Sequence, residues 1–189
     1  MRMRIVISAF FAFILAGNIS ASTPDKLIPS EKNGKFGFVN TDNKLVVDYI
    51  YDNVKYFMEG YAAVNKNGKW GYVDESGTLV IATQFDQADN FLNGYAAVQV
   101  NGKWGYINSA GELAIPCQFD LAGSFFTSMA AVRISGKWGF VDKQGKMIVP
   151  ADYDFVTGFS KGSARVEKDG TYNYVDIDGH TLIEWKSAR

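Results

Sequence analysis

One fixed spacing governs almost the whole chain. Gly34, Gly68, Gly102, Gly136 and Gly170 follow one another at that spacing with no insertion or deletion. Around them stand GKFGFVN from Gly34, GKWGYVD from Gly68, GKWGYIN from Gly102, GKWGFVD from Gly136 and GTYNYVD from Gly170. The register reaches far beyond the heptad. A turn glycine recurs at Gly77, Gly111, Gly145 and Gly179, with Asn43 in the first copy. An aromatic-Asp pair recurs at Tyr51-Asp52, Phe85-Asp86, Phe119-Asp120 and Tyr153-Asp154, and a phenylalanine at Phe57, Phe91, Phe125 and Phe159. Each unit closes with Ala-x-Val, as at Ala96-Val98. A chain that copies one module five times folds by stacking copies, and its terminal copies must serve as caps.

Each unit reads as strands. Tyr95 to Val100 and Lys103 to Ile107 are β-rich runs separated by Asn101-Gly102, the strongest short hairpin signal. Asn33, Asn67, Asn101 and Asp169 precede the corner glycine and all tolerate left-handed φ. A second corner, such as Ser76-Gly77, leads to a third strand, and a connector then carries the chain to the next unit. In that connector the phenylalanine and a small apolar residue (Val54, Ala88, Ala122 or Val156) suit burial. By the period of two, Trp104 and Tyr106 share one face while Gly105 and Ile107 share the other. A mid-strand glycine weakens a strand unless something approaches it closely, so Gly37, Gly71, Gly105 and Gly139 imply a ring or backbone over the bare Cα. The fifth copy has Asn173 there, Tyr172 in place of tryptophan and Thr171 in place of lysine; the first has Phe36 in place of tryptophan. Both ends read as caps.

These cores of the form GKWG(Y/F)(V/I)(D/N), the first four followed by an apolar strand and a Y/F-D pair, resemble the WG-repeat family over nearly all of Leu27 to Glu184. The resemblance implies an all-β repeat array with a binding role, common on exported or envelope proteins of bacteria, and no catalytic residues. The expected fold is all-β: tandem 34-residue repeats of three short antiparallel strands in a solenoid-like open array, the alternative being a small five-bladed propeller. Units of this length are short for four-stranded blades, and the weakened ends favour the open form.

The domain plan is residues 1–21 as a signal peptide and 22–189 as a single five-unit repeat domain. Arg2 and Arg4 precede an uncharged run from Ile5 to Gly17, then the small-residue stretch around Ala21. A membrane span needs about 20 apolar residues, more than this run offers, so an uncleaved anchor is the lesser reading. Removing the leader takes two arginines and no acids, moving the net charge from −1 to −3. The expected location is exported: periplasmic, secreted or cell-surface. Nineteen basic residues against twenty acidic ones exclude nucleic acid as a favoured partner. A single cysteine excludes an intramolecular disulfide framework and a Cys-cluster zinc site.

Candidate chemistry is sparse. Gly158-Phe159-Ser160-Lys161-Gly162 matches G-x-S-x-G, with Asp176 or Asp178 and then His180 following in hydrolase order, but the window falls in a connector and is largely inherited from the repeat. Asp176-Ile177-Asp178-Gly179 lacks the first and last ligands of a calcium loop and reads as a turn. Cys117 reads as a small buried hydrophobe. No catalytic residue, metal or cofactor is expected. The candidate binding rows are Lys69, Lys103 and Lys137, Asp86, Asp120 and Asp154, and Trp70, Trp104 and Trp138. Each row has a structural reading as well: solubility, turn capping and core packing respectively. The expected function is that of an exported, non-enzymatic binding or scaffold module with a protein partner at the cell envelope, the alternative being a glycan or cell-wall binding module.

Overall fold

A computed structural model describes residues 26–187, and the proposed leader lies outside them. Among the described residues every regular element is a strand, so no helix there could cross a membrane. The strands form five antiparallel meanders in chain order. The first sheet holds Ile28–Lys32, Lys35–Val39 and Leu45–Tyr51. The second holds Asn53–Val54, Tyr61–Lys66, Lys69–Asp74 and Leu79–Phe85; the third holds Gln87–Ala88, Tyr95–Val100, Lys103–Asn108 and Leu113–Phe119. The fourth holds Leu121–Ala122, Met129–Ile134, Lys137–Asp142 and Met147–Tyr153. The fifth holds Phe155–Val156, Ser163–Lys168, Thr171–Asp176 and the short Lys186–Ser187.

The three strands expected of each unit are joined in four sheets by a very short strand directly after the aromatic-Asp pair. Gln87 and Ala88 pair with Gln99 and Val98, so the chain changes sheets at Asp86 and the connector begins hydrogen-bonded to the sheet ahead. The hairpin corners adopt positive φ at both central residues, as at Asn101 (52°) and Gly102 (75°), which matches the strand twist of a type I′ turn. Ser135 adopts the same conformation at the corner that lacks Asn or Asp.

The mid-strand glycine is explained by a bulge. The ladder between Lys103–Asn108 and Leu113–Phe119 shifts register across Gly105, between Trp104 and Tyr106, and again between Tyr106 and Ile107. A Cβ on Gly105 would lie 2.5 Å from the Ile115 carbonyl oxygen and 2.7 Å from the Cys117 nitrogen, and Gly37, Gly71 and Gly139 are covered in the same way. In the fifth sheet Asn173 instead binds Ile183, the residue one period beyond Val149: its amide donates to the Ile183 carbonyl (2.7 Å) and accepts from the Ile183 N–H (3.2 Å). Side-chain bonds there replace the close backbone approach, and the pairing with Thr171–Asp176 is reduced to Lys186 and Ser187 and an isolated bridge between Val175 and Thr181.

Four apolar cores hold the five sheets, one at each junction. Phe38, Val47 and Tyr51 meet Ala62, Val64 and Val73; Tyr72, Ile81 and Phe85 meet Phe91, Ala96 and Val98. Tyr106, Ile115 and Phe119 meet Phe125, Ala130 and Val132; Phe140 and Val149 meet Phe159, Ala164 and Val166. Each core draws on two consecutive sheets, the nearest-neighbour packing of an open repeat array. At every junction the connector phenylalanine seats against the aromatic ring after the WG glycine of the unit before it, with centroids 4.9 Å apart for Phe38–Phe57 and Tyr72–Phe91, 4.7 Å for Tyr106–Phe125 and 4.8 Å for Phe140–Phe159. Part of the aromatic richness of the chain is this set of pairs.

Candidate functional site

The lysine and aspartate rows are brought together as pairs. Lys35 binds Asp52. Lys69 binds Asp86, Lys103 binds Asp120 and Lys137 binds Asp154, each of these three with Nζ 2.5 Å from Oδ1. The aspartate stands where the chain changes sheets, and it reaches both ways. Its second oxygen accepts the corner N–H of the next hairpin, from Asn67 to Asp52 (2.6 Å), Asn101 to Asp86 (2.7 Å) and Asp169 to Asp154 (3.0 Å). Its own N–H donates to the next sheet, as from Asp120 to the Arg133 carbonyl (2.8 Å). The lysine partner, followed by the backbone donor at Asp52, Asp86 and Asp154, holds these carboxyls below the usual carboxylate range. The repeated charges therefore clamp one sheet to the next.

A second carboxylate or amide row closes the next corner. Asp74, Asn108, Asp142, Asp176 and Asn40, the last residue of each heptad, accept N–H bonds from the residues two and four positions on, for example from Gln144 (3.0 Å) and Lys146 (2.8 Å) to Asp142. That is why the heptad ends in Asp or Asn. The buried hydroxyls of Tyr72 and Tyr106 donate to the Asp89 carbonyl (2.6 Å) and the Gly123 carbonyl (2.7 Å) of the connector ahead, and burial pushes both phenols well above their ordinary pKa. Trp70 is buried, whereas Trp104 and Trp138 are half-buried; Lys55 lies over the Trp70 ring and Arg133 over that of Trp138.

The connectors form a different kind of row. They stack in register, with Lys55 bound to Asp89 (2.5 Å) and the Glu59 carboxylate accepting the N–H groups of Asn93 (2.7 Å) and Gly94 (2.9 Å) one unit ahead. Asn93 in turn donates to the Phe125 carbonyl (2.9 Å). Met58 and Phe126 stand exposed on this face, Phe126 by 52%, and Leu92 occupies the equivalent position between them. A groove of about 320 Å³ opens beside Phe126 at the junction of the fourth and fifth sheets, lined by Leu92, Met129, Trp138, Val156 and Phe159 among others. A second, of about 360 Å³, opens at the junction of the first and second sheets between Leu27, Tyr56 and Phe57.

The profile of the family described as "WG containing repeat" matches residues 36–70, 70–104, 104–138 and 138–172, which is most of the chain in four contiguous units. The chain belongs to the WG-repeat family. No curated protein matches this WG-repeat chain by sequence. Among solved structures it is similar to one described as the crystal structure of a eukaryotic initiation factor, at TM-score 0.59 and 14% identity, over 86% of this chain and 52% of the other. It is also similar to Hsv2 of Kluyveromyces lactis, at TM-score 0.53 and 9% identity, over 87% of this chain and 61% of the other. The WG-repeat chain thus spans about half to three fifths of the length of these structures. At such identities the likeness concerns the fold alone, that of β-propeller-like repeat proteins.

The remaining motifs take ordinary places in the WG-repeat frame. Ser160 bridges to Ser163 across a connector turn, with no strand-to-helix elbow around it. His180 faces Asp176 at 3.3 Å. Asp176, Asp178 and His180 bring ligand atoms within 4.8 Å of one another on the last corner, where Asp176 caps the turn as its equivalents do. Cys117 is half-buried, and burial pushes its thiol up. The connector groove is a feature not anticipated from the sequence. Its signal was a break in the repeat rather than the repeat itself: the position that reads Tyr61 and Tyr95 becomes Met129 and Leu27 at the two grooves.

Proposed function

We propose that this chain is a non-enzymatic WG-repeat binding or scaffold module, exported to the cell envelope or beyond, whose connector face engages a protein partner. The carrying observation is a division of labour. The repeated Lys and Asp residues join sheets and the repeated mid-strand Gly residues allow the bulge within each sheet, whereas the connector row changes from unit to unit and presents exposed apolar side chains beside a groove. In repeat proteins one face holds the frame and another varies for binding. A volume of about 320 Å³ is at the lower limit for small-ligand pockets and suits an anchoring side chain. The charged run from Arg2 through the small residues at Ala21 supports export.

Trp138 in the groove wall favours a glycan ligand as the second reading. Placing the photo-reactive residue p-benzoylphenylalanine at position 126 and irradiating native cells separates the two. A discrete, protease-sensitive adduct supports the protein partner. Adducts that resist protease and yield to glycan-degrading enzymes, or none at all, overturn it.

A further inference from the structure

The two grooves coincide with the same missing ring. The first residue of each Ala-x-Val strand, one period apart, is Leu27, Tyr61, Tyr95, Met129 and Ser163. Where it is tyrosine, its ring packs on the connector phenylalanine of the next unit: Tyr61 on Phe91 with centroids 4.9 Å apart, and Tyr95 on Phe125 at 5.1 Å. These tyrosines lie against the second and third apolar cores, so a ring from the chain itself packs on each junction there. Met129 and Phe159 occupy the equivalent places at the fourth junction, and both line the groove of about 320 Å³. Leu27 and Phe57 occupy them at the first, and both line the groove of about 360 Å³. Each groove borders the phenylalanine on which tyrosine sits elsewhere, and that ring is less fully covered there: Phe57 is half-buried and Phe159 keeps 7% exposure, against 1% for Phe91 and none for Phe125.

The mouth of the fourth-junction groove is widened by a second substitution series. The residue just before the connector phenylalanine is Tyr56, Asn90, Ser124 and then Gly158, and a Cβ on Gly158 would meet open space. Ala131, Phe140, Val156, Thr157, the half-buried Leu92 and the exposed Phe126 also line the groove. The cavity is therefore continuous with the junction core and open to the connector face.

We infer that the groove between the fourth and fifth sheets is a tyrosine slot that Met129 leaves underfilled, completed by an aromatic side chain that the protein partner supplies. This rests on the reading of the connector face as the binding face and names the chemistry of the anchor. The occupant is specified by the sister junctions: a phenol or phenyl ring tilted on Phe159 as Tyr61 tilts on Phe91. Aromatic anchors carry a large share of interface energy when they enter a preformed pocket. Ring pairs also contribute beyond their buried area.

The test uses p-cresol as the probe, the N–H resonances of Thr157 and Gly158 as the readout, and Met129→Tyr as the filled-slot variant. Wild type is expected to show saturable shifts confined to groove residues, at least tenfold weaker in M129Y, with M129Y melting at or above the wild-type temperature. Equal binding to M129Y, or shifts elsewhere on the molecule, overturns the slot. Should M129Y not fold, wild type alone decides: p-cresol binding several-fold tighter than cyclohexylmethanol supports an aromatic slot, and equal affinity overturns it. The photo-adduct at position 126 separates the two levels of the argument. An adduct in wild type without p-cresol binding overturns the aromatic slot and leaves the binding face intact. Binding of p-cresol without any adduct supports the slot and overturns the face as a protein-binding surface.

Discussion

Replacing Gly105 by alanine places a Cβ where the chain has already put backbone. The Ile115 carbonyl oxygen lies 2.5 Å from the new atom, with Cys117 N at 2.7 Å and Pro116 C at 2.8 Å. None of these is the movable end of a side chain. Reaching an approach of 3.0 Å therefore requires the third strand to retreat by about 0.5 Å along the bulge. Overpacking of this kind costs about 1–3 kcal/mol. A strained or lost ladder hydrogen bond adds about 1 kcal/mol. The expected destabilisation is about 2–4 kcal/mol, read as a lower urea midpoint. Gly102→Ala in the adjacent hairpin is the control: it has open space around it but φ of +75°, so left-handed strain of about 1–2 kcal/mol is its whole cost. A Gly105→Ala loss no greater than that of Gly102→Ala refutes the bulge as the reason for the WG glycine.

Phe125→Ala removes a fully buried ring that touches both Tyr95 and Tyr106, and is expected to cost about 3–5 kcal/mol in the same assay. Its neighbour Phe126→Ala, on the exposed rim, is expected to shift stability by less than about 0.5 kcal/mol. The clamp carboxyls titrate below their ordinary range, so the folded state binds fewer protons than the unfolded one near pH 4. Their stabilisation is present above that range and is lost as pH falls through their lowered values; Asp120→Asn is expected to flatten the acid limb of a stability profile and to leave its shape near pH 7 unchanged. Trp185 is 43% exposed while Trp70 is buried. Trp185→Phe is accordingly expected to leave an emission harder to quench with acrylamide.

The frame of this molecule was legible because repetition multiplies a weak signal. One Asn101-Gly102 suggests a hairpin; five corners in register fix the meander, and the structure adds only Ser135 to the residues that tolerate the turn. The four bare glycines likewise announced a close approach, and its source proved to be the carbonyl of the bulged third strand. The lysine and aspartate rows were visible, but their pairing was not. Lys103 and Asp120 stand half a repeat apart, and only the three-stranded meander returns one to the other. Nor does a sequence show that Asp86 marks the crossing between sheets, because that depends on where Gln87 finds its partner. The groove escaped for a further reason: consensus directs the eye to what repeats, and a cavity forms where Met129 fails to repeat Tyr61 and Tyr95.

The division between a joining frame and a binding connector face is tested most directly by photo-crosslink yield at position 58 of the same connector row, compared across two variants. One carries Leu92→Glu with Phe126→Glu; the other carries Lys69→Met, Lys103→Met and Lys137→Met. The account predicts that the first loses the protein adduct while the second, folded by circular dichroism, keeps it. Loss of the adduct in the lysine variant, with the connector variant unaffected, would contradict it and return the binding role to the charged rows.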